Sequence, residues 1–185
     1  WQFCLDRISL KDKWVAYTPY ELRSLSSFVR LGQPERAWNI LDFFARDIRP
    51  RGWNHWAEVV YRDVRAPKYI GDMPHTWCGA EFVRSFRDFF VYEEPAKQSL
   101  VLAAGVPPSW YEKAGFAVKK LPTPYGVVSL SGKAKPGNRF VLQVSEVGRV
   151  PGGVQVAGPR GVPKRVRVNG EEVPPQRLVA ITGPC

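Results

Sequence analysis

The stretch PHTWCGAEFVRSFRDFFVYEEP, residues 74–95, decides the fold, because the hydrophobic pattern changes at its end. Apolar residues recur within it at helical spacing, which predicts an amphipathic helix over residues 74–92. The apolar stripe of this helix is predicted to consist of Trp77, Ala80, Val83, Phe86, Phe89 and Phe90. Beyond Pro95 the chain changes to short runs broken by Gly and Pro, which are typical of strands. The sequence therefore predicts an α+β protein, with a helical domain over residues 1–95 and a β-rich domain over residues 96–185.

Two further helices are predicted before this stretch. The motif TPYE, residues 18–21, has the pattern of a capping box with proline at the first helical position, and its helix is expected to end at Gly32. A second helix is predicted to begin at Pro34 and to end at the Arg-Pro pair of residues 49–50. Because the connection between them is short, the two helices are predicted to form an antiparallel hairpin.

Seven short runs in the second half of the chain have the composition of strands. They lie at residues 100–103, 117–120, 126–130, 140–144, 153–156, 165–168 and 178–181. The pair Asn169-Gly170 is typical of a two-residue hairpin turn, because both residues tolerate a positive φ. Seven short strands with frequent turns predict an antiparallel β-sandwich.

The formal net charge of +10 is unevenly distributed. Residues 1–95 carry 14 Lys and Arg against 13 Asp and Glu, whereas residues 96–185 carry 13 against 4. A basic surface attracts polyanions such as nucleic acids and anionic polysaccharides. Since no block of like charges occurs, the sequence favours cations dispersed over a solvated β surface, and no nucleic-acid partner is expected.

The chain contains no run that approaches the ~20 apolar residues of a membrane span. It begins without an initiator Met or a signal peptide, so we expect its beginning to be missing, and no compartment is predicted. Three cysteines, Cys4, Cys78 and Cys185, are too few for a disulfide framework. They are expected to be free thiols, with Cys78 packed on a helix.

Candidate functional residues cluster in and beside the long connection over residues 49–73, and connections of that length are often functional. They are Trp53, His55, Trp56, Glu58, Asp72 and His75. Carboxylates act as acid, base or nucleophile in glycoside hydrolysis, and imidazoles bind hydroxyl groups. Indole rings cover the apolar faces of a pyranose. These residue types together favour a sugar-processing site.

Each candidate also has a structural interpretation. His75 could serve as a hydrogen bonder at the start of a helix, and Asp72 could cap that helix. Glu58 could be a buried carboxylate paired with Arg62 or Arg65. The two tryptophans occur in cores as often as on sugar platforms.

The sequence gives little support for a metal site or for a catalytic serine on a nucleophile elbow. His55 and Glu58 have half of a metal-like spacing, but no second His or Cys lies near enough in the sequence to complete a zinc set. The sequence has neither a Gly-x-Ser-x-Gly elbow nor a phosphate-binding Gly-rich loop before a helix. No metal or other cofactor is therefore expected.

Three short motifs resemble the C-terminal end of six-hairpin glycosidases, with bacterial α-L-rhamnosidases as the nearest comparison. The motifs are WAE at residues 56–58, PHTWCGAE at residues 74–81 and TPYGVVS at residues 123–129. In that family, a Trp- and Glu-bearing loop precedes a helix that opens with His, and a closing sandwich begins with a Thr-Pro-Tyr-Gly strand. The likeness extends from about residue 18 to about residue 144.

This resemblance implies a fold of C-terminal helical hairpins from an incomplete (α/α)6 toroid, followed by an antiparallel β-sandwich. It implies that Glu58 is the base-side catalytic carboxylate and that His75 binds the sugar. The other candidates, Asp72, Trp53, Trp56 and His55, are expected around the same subsite. The family's acid carboxylate lies in earlier hairpins. The N-terminal remainder of the polypeptide is therefore the expected partner, and this chain alone is expected to have little or no activity on its carbohydrate substrate.

Two other functions stay open at this point. The chain could belong to a non-catalytic carbohydrate-binding or assembly protein, in which the basic β domain contacts an anionic glycan. It could also belong to a phosphorylase on the same fold. Salt-sensitive affinity would indicate the first, and phosphate-dependent turnover would indicate the second.

Overall fold

A computed structural model shows a mixed α+β structure, as predicted. The structure describes residues 1–9, 16–17, 19–159, 161 and 163–181. The chain divides into two compact units, Trp1–Phe86 and Arg87–Cys185. Each unit has its own core, which is described separately below.

The helices of the first unit begin with one that the sequence did not predict. They are α1 (Gln2–Ile8), a 3-10 turn (Pro19–Leu22), α2 (Arg23–Arg30), α3 (Pro34–Arg46) and α4 (Thr76–Arg87). Helices α2 and α3 contact each other and are joined at Gly32, whose φ of 71° suits a glycine, so the predicted hairpin is confirmed. Thr18 of the predicted capping box lies outside the described residues. None of the described helices has the length and apolar character needed to cross a membrane.

The core of the first unit lies between the two hairpin helices. It is formed by Leu22, Leu25 and Val29 on one side and by Ala37, Ile40 and Phe44 on the other. These side chains recur at three- and four-residue spacing, which places them on one face of each helix. Burying a side chain of this size contributes roughly 1.5–3 kcal/mol, so the hairpin is stabilised by packing rather than by its caps.

The prediction for α4 was wrong at its end. The helix ends at Arg87, and Val91–Glu94 forms strand β3 instead of the last helical turn. This strand pairs antiparallel with β4 (Ser99–Leu102), which places Tyr92 opposite Val101. Valine and tyrosine favour strands intrinsically. The four paired positions of this strand, with Val91 and Tyr92 buried, stabilise it more than one further turn of helix would.

The predicted apolar stripe of α4 is confirmed only in part, since Phe89 and Phe90 are buried but lie beyond the end of the helix. Trp77 is 58% exposed and Val83 is 66% exposed, while Cys78 and Ser85 are the buried residues of the helix. Ala80 is exposed as well. The buried face of the helix is therefore rotated from the face that the hydrophobic periodicity predicted. Cys78 is buried as expected, neither Cys78 nor Cys4 forms a disulfide within the described part of the chain, and Cys185 lies outside the described residues.

The long connection over residues 49–73 folds back on itself. Strand β2 (Val60–Tyr61) pairs with β1 (Ala16–Tyr17), and Val60 forms an isolated bridge with Ile70. A further backbone bond, from the Tyr61 N–H to the Tyr69 carbonyl at 2.8 Å, extends the pairing toward the turn. The connection is thus an irregular hairpin, and its pairing fixes which side chains face each other.

The second unit contains three small sheets. Its strands are β3, β4, β5 (Phe116–Thr123), β6 (Gly126–Lys135), β7 (Arg139–Ser145), β8 (Val154–Ala157), β9 (Val166–Val168), β10 (Glu171–Val173) and β11 (Leu178–Ile181). Each of the seven predicted strands overlaps one of these. The β9–β10 pair turns at Asn169 and Gly170, with φ of 52° and 90°, which confirms the predicted hairpin.

The sheets are not all antiparallel. The four-stranded sheet has the order β11-β8-β4-β3, and β4 pairs with β8 in parallel, which corrects that part of the prediction. The prediction failed here because strand periodicity gives no information about strand direction. Strands β5, β6 and β7 form a separate antiparallel meander.

The meander packs on a short helix, α5 (Pro108–Tyr111), through aromatic rings. Tyr111 is 1% exposed and makes edge-to-face contacts with Phe116 and Phe140, at centroid distances of 5.0 and 5.3 Å. A Cβ at Gly132 would lie 2.6 Å from the Tyr111 ring and 2.3 Å from the Phe116 ring. Only glycine fits under these two rings, so the meander and α5 approach closely at this point.

Candidate functional site

The irregular hairpin brings two segments of the candidate site side by side. Glu58 N–H donates to the Asp72 carbonyl at 2.9 Å, and Gly71 N–H donates to the Val59 carbonyl at 2.8 Å. His75 N–H donates to the Trp56 carbonyl at 2.8 Å. Residues 56–59 are therefore held against residues 71–75 by main-chain bonds that do not depend on the candidate side chains.

His75 lies between two hydrogen-bonding partners. Its Nε2 is 2.5 Å from the Tyr20 hydroxyl, and its Nδ1 is 3.2 Å from Oδ2 of Asp72. The imidazole is largely buried, with 14% of the side chain exposed, whereas the Asp72 side chain is 72% exposed. The Asp72 carboxylate thus orients the histidine ring. The ring in turn contacts the phenol of Tyr20, which the sequence analysis treated only as part of a helix cap.

Tyr20 sits among several charged or ionisable groups. Partial burial is the largest cause of a pKa of the Tyr20 hydroxyl above its usual range, and the Cys78 thiol raises this pKa further. The carboxylates of Glu58 and Asp72 act in the same direction, while the Arg23 guanidinium acts in the opposite direction. The influence of Glu58 on Tyr20 places this carboxylate in the electrostatic neighbourhood of the Tyr20–His75 pair.

Glu58 itself is half-buried. Its Oε2 lies 3.5 Å from the position that a Cβ would take at Gly71, so the carboxylate lies over that glycine. The alternative pairing with Arg62 is not formed, because the Arg62 guanidinium bonds to Asp47 at 2.9 Å. Among the described residues, Glu58 has no salt-bridge partner, and its carboxylate is available for a role beyond a structural ion pair.

The predicted tryptophan platforms differ from one another. Trp56 is half-buried, and its ring packs on Phe44 and Phe82 at centroid distances of 6.4 and 5.4 Å. Trp53 is 64% exposed and His55 is exposed. Within the described part of the chain, neither side chain bonds to the candidate residues Glu58, Asp72 and His75.

Trp77 takes the position that was predicted for the other tryptophans. Its largely exposed ring meets Tyr20 edge-to-face at a centroid distance of 5.1 Å, and Tyr20 meets the His75 ring in the same manner at 5.5 Å. The sequence analysis missed Tyr20 and Trp77 as site residues. The sequence could have indicated Trp77, because it lies two residues after His75. Tyr20 lies 55 residues from His75, and no motif near it indicates a place in the site.

The site thus combines a half-buried carboxylate, an Asp–His–Tyr chain of hydrogen bonds and an exposed indole. This set can accept and donate protons and can cover an apolar face of a ligand. In the part of the chain that the structure describes, no group of three or more His, Cys, Asp and Glu side chains lies close enough to hold a metal ion. No protein-family model, curated protein or solved structure matches this chain.

Proposed function

We propose that this chain belongs to a carbohydrate-active protein of the glycoside hydrolase type, and that Glu58 assists the attack of water on a glycosidic bond. The observation that carries the proposal is the convergence of Glu58 with Asp72 and His75 on the two sides of one irregular hairpin. The exposed Trp77 ring beside Tyr20 adds a surface suited to the apolar face of a pyranose.

The resemblance to six-hairpin glycosidases supplies the architectural part of the proposal. The α2–α3 hairpin is one helical hairpin of an (α/α)6 toroid, and the second unit takes the place of the closing β-sandwich. In this arrangement His75 lies beside the bound sugar, and Asp72 orients the imidazole ring of His75.

The test is the rate of sugar release from a panel of glycosides by the full polypeptide, with Glu58→Gln compared with wild type. Removal of a general acid or base costs typically 10²–10⁴-fold, so we expect turnover to fall by at least about 100-fold. Glu35→Gln is the matched control, because Glu35 is an exposed carboxylate on α3 and its substitution is expected to leave the rate unchanged. Equal rates for Glu58→Gln and wild type would remove Glu58 from catalysis.

A second function, the non-catalytic binding of an anionic glycan, is favoured by one face of the meander. Lys133 and Lys135 alternate along β6 and therefore share a face, and Lys135 pairs directly with Arg139 of β7. Lys119 of β5 is exposed beside the same sheet. These cations are all exposed, so they are available to sulfate or carboxylate groups.

We expect Lys133→Glu combined with Lys135→Glu to weaken binding to heparin, measured by affinity chromatography over a salt gradient. Each lost contact lowers the steepness of the salt dependence by about one unit. Lys113→Glu combined with Lys164→Glu is the matched control, since it makes the same charge change at exposed positions outside the meander. Heparin elution that is identical for both double variants would exclude this face as the binding surface.

A further inference from the structure

Tyr20, His75 and Asp72 form a directed chain of hydrogen bonds. An ionised carboxylate only accepts, so the 3.2 Å bond to Asp72 places a proton on Nδ1 of His75. In the neutral imidazole, Nε2 then carries a lone pair and accepts the hydroxyl proton of Tyr20 at 2.5 Å. This is the order of nucleophile, base and orienting group in a catalytic triad, with a phenol in the first position.

We propose that Tyr20 is a nucleophile, that His75 is the base that takes its proton, and that Asp72 is the residue that positions the His75 ring. The bond forms between the phenol oxygen and an electrophilic centre, while the phenol proton moves to Nε2 of His75. Asp72 then stabilises the imidazolium. Tyrosine serves as the nucleophile in sialidases.

The surroundings of Tyr20 fit this role. Its side chain is half-buried, while the His75 ring is mostly protected from solvent. Burial and the neighbouring Cys78, Glu58 and Asp72 groups hold the pKa of Tyr20 above its usual range. A phenol that stays protonated needs a base at the moment of attack, and His75 is the base in contact with it.

The identity of the substrate rests on the proposed function, and a glycoside gives a balanced reaction. Tyr20 attacks the anomeric carbon, the glycosidic C–O bond breaks, and the leaving oxygen takes a proton from the Glu58 carboxyl group. Water then attacks the same carbon and gives a proton back to Glu58, while the phenol oxygen leaves and recovers its proton from His75. Two displacements at one carbon retain its configuration.

The experiment measures the reaction of each tyrosine with an aryl sulfonyl fluoride, a probe that needs no knowledge of the sugar. The tyrosine oxygen bonds to sulfur, fluoride leaves, and the phenol proton moves to His75. We expect Tyr20 to be labelled at least about tenfold faster than the other half-buried tyrosines, as measured by peptide mass spectrometry. Internal references of the same burial are Tyr61, Tyr69 and Tyr125.

Two variants test the role of the histidine. His75→Phe keeps a planar ring but removes the base, and we expect the labelling of Tyr20 to fall to the rate of the reference tyrosines. Tyr20→Phe confirms the assignment of the labelled peptide. Rapid labelling of Tyr20 that survives His75→Phe in a folded protein, or labelling no faster than the references in wild type, would overturn the proposal.

A third variant, Asp72→Ala, separates positioning from folding, because this exposed side chain contributes little to the core. Nitrogen-15 NMR of the two histidines shows which ring nitrogen bears the proton, and His55→Gln assigns the signals. We expect the proton of His75 on Nδ1 in wild type and a shift toward Nε2 in Asp72→Ala, with slower labelling of Tyr20. An unchanged tautomer together with unchanged labelling would contradict the assigned role of Asp72.

The labelling experiment and the turnover experiment can give negative results independently of each other, so the two proposals are tested separately. Fast, His75-dependent labelling without turnover on any glycoside would reject the glycoside substrate and keep the nucleophile. Turnover that is lost in Glu58→Gln but retained in Tyr20→Phe would keep the proposed function and reject Tyr20 as its nucleophile.

Discussion

Phe44→Ala is expected to lower the free energy of unfolding of the first unit by about 3–5 kcal/mol. Phe44 is 1% exposed in the core between α2 and α3, and its ring contacts Phe43 and Trp56 edge-to-face. The substitution removes the transfer energy of the ring and leaves a cavity that neighbouring rings fill only in part. Urea denaturation followed by far-ultraviolet circular dichroism, which reports mainly on the helices, measures this loss.

Phe44 also supports the candidate site through one intermediate residue. Its ring packs on Trp56, and the Trp56 carbonyl accepts the main-chain N–H of His75. We therefore expect the Phe44→Ala cavity to loosen the strand pairing that sets the position of His75. Increased hydrogen exchange of the His75 amide, measured in native conditions, is the local readout.

The control for this prediction is Leu31→Ala. Leu31 is an apolar residue of the same hairpin but is 67% exposed, and a surface substitution of this kind changes stability by about 0.5 kcal/mol or less. A cost for Phe44→Ala no greater than that of Leu31→Ala would show that the core between α2 and α3 does not pack as described.

The elements that were predicted correctly are those with a local physical signal. The α2–α3 hairpin has proline at a helix start, glycine between the helices and apolar residues at helical spacing. Strand β11 was predicted with its observed bounds, and the turn at Asn169 and Gly170 follows from their tolerance of positive φ. Interactions within a few residues determine these features, so the chain itself contains the information.

The end of α4 was mispredicted because its residues fit both the helical period of 3.6 residues and the strand period of 2. The run FFVY, residues 89–92, is apolar at every position, so helical and strand spacing both fit it. The pairing of β3 with β4 decides between them, and that pairing depends on a segment later in the chain. The exposed positions of Trp77 and Val83 likewise depend on which helix face meets the rest of the unit.

The candidate site was predicted in part for the same reason. Residues Glu58, Asp72 and His75 lie within 18 positions of each other, and one irregular hairpin is enough to bring them together. Tyr20 joins them from the 3-10 turn that precedes α2, and no spacing in the sequence indicates a bond across 55 positions. Trp56 was assigned to the site by its neighbours in sequence, and its ring packs on Phe44 and Phe82.

Tyr111→Ala is expected to lower the free energy of unfolding of the second unit by about 3–5 kcal/mol, the range found for the removal of large buried rings. Tyr111 is the aromatic residue on which Phe116 and Phe140 both pack, and Gly132 leaves no side chain to fill the resulting space. Urea denaturation followed by near-ultraviolet circular dichroism measures the effect, because the aromatic cluster contributes to that signal.

Tyr111→Phe is the matched control, since it keeps the ring and removes only the hydroxyl group. Burial raises the pKa of Tyr111, whereas an unfolded tyrosine loses its proton near pH 10. The unfolded state therefore binds fewer protons above about pH 10, and the stability of the wild type falls there by up to about 1.4 kcal/mol per pH unit from this group. We expect Tyr111→Phe to remove this contribution while retaining most of the stability at neutral pH. If both variants lost equal stability at neutral pH, the hydroxyl group rather than the packed ring would be what Tyr111 contributes.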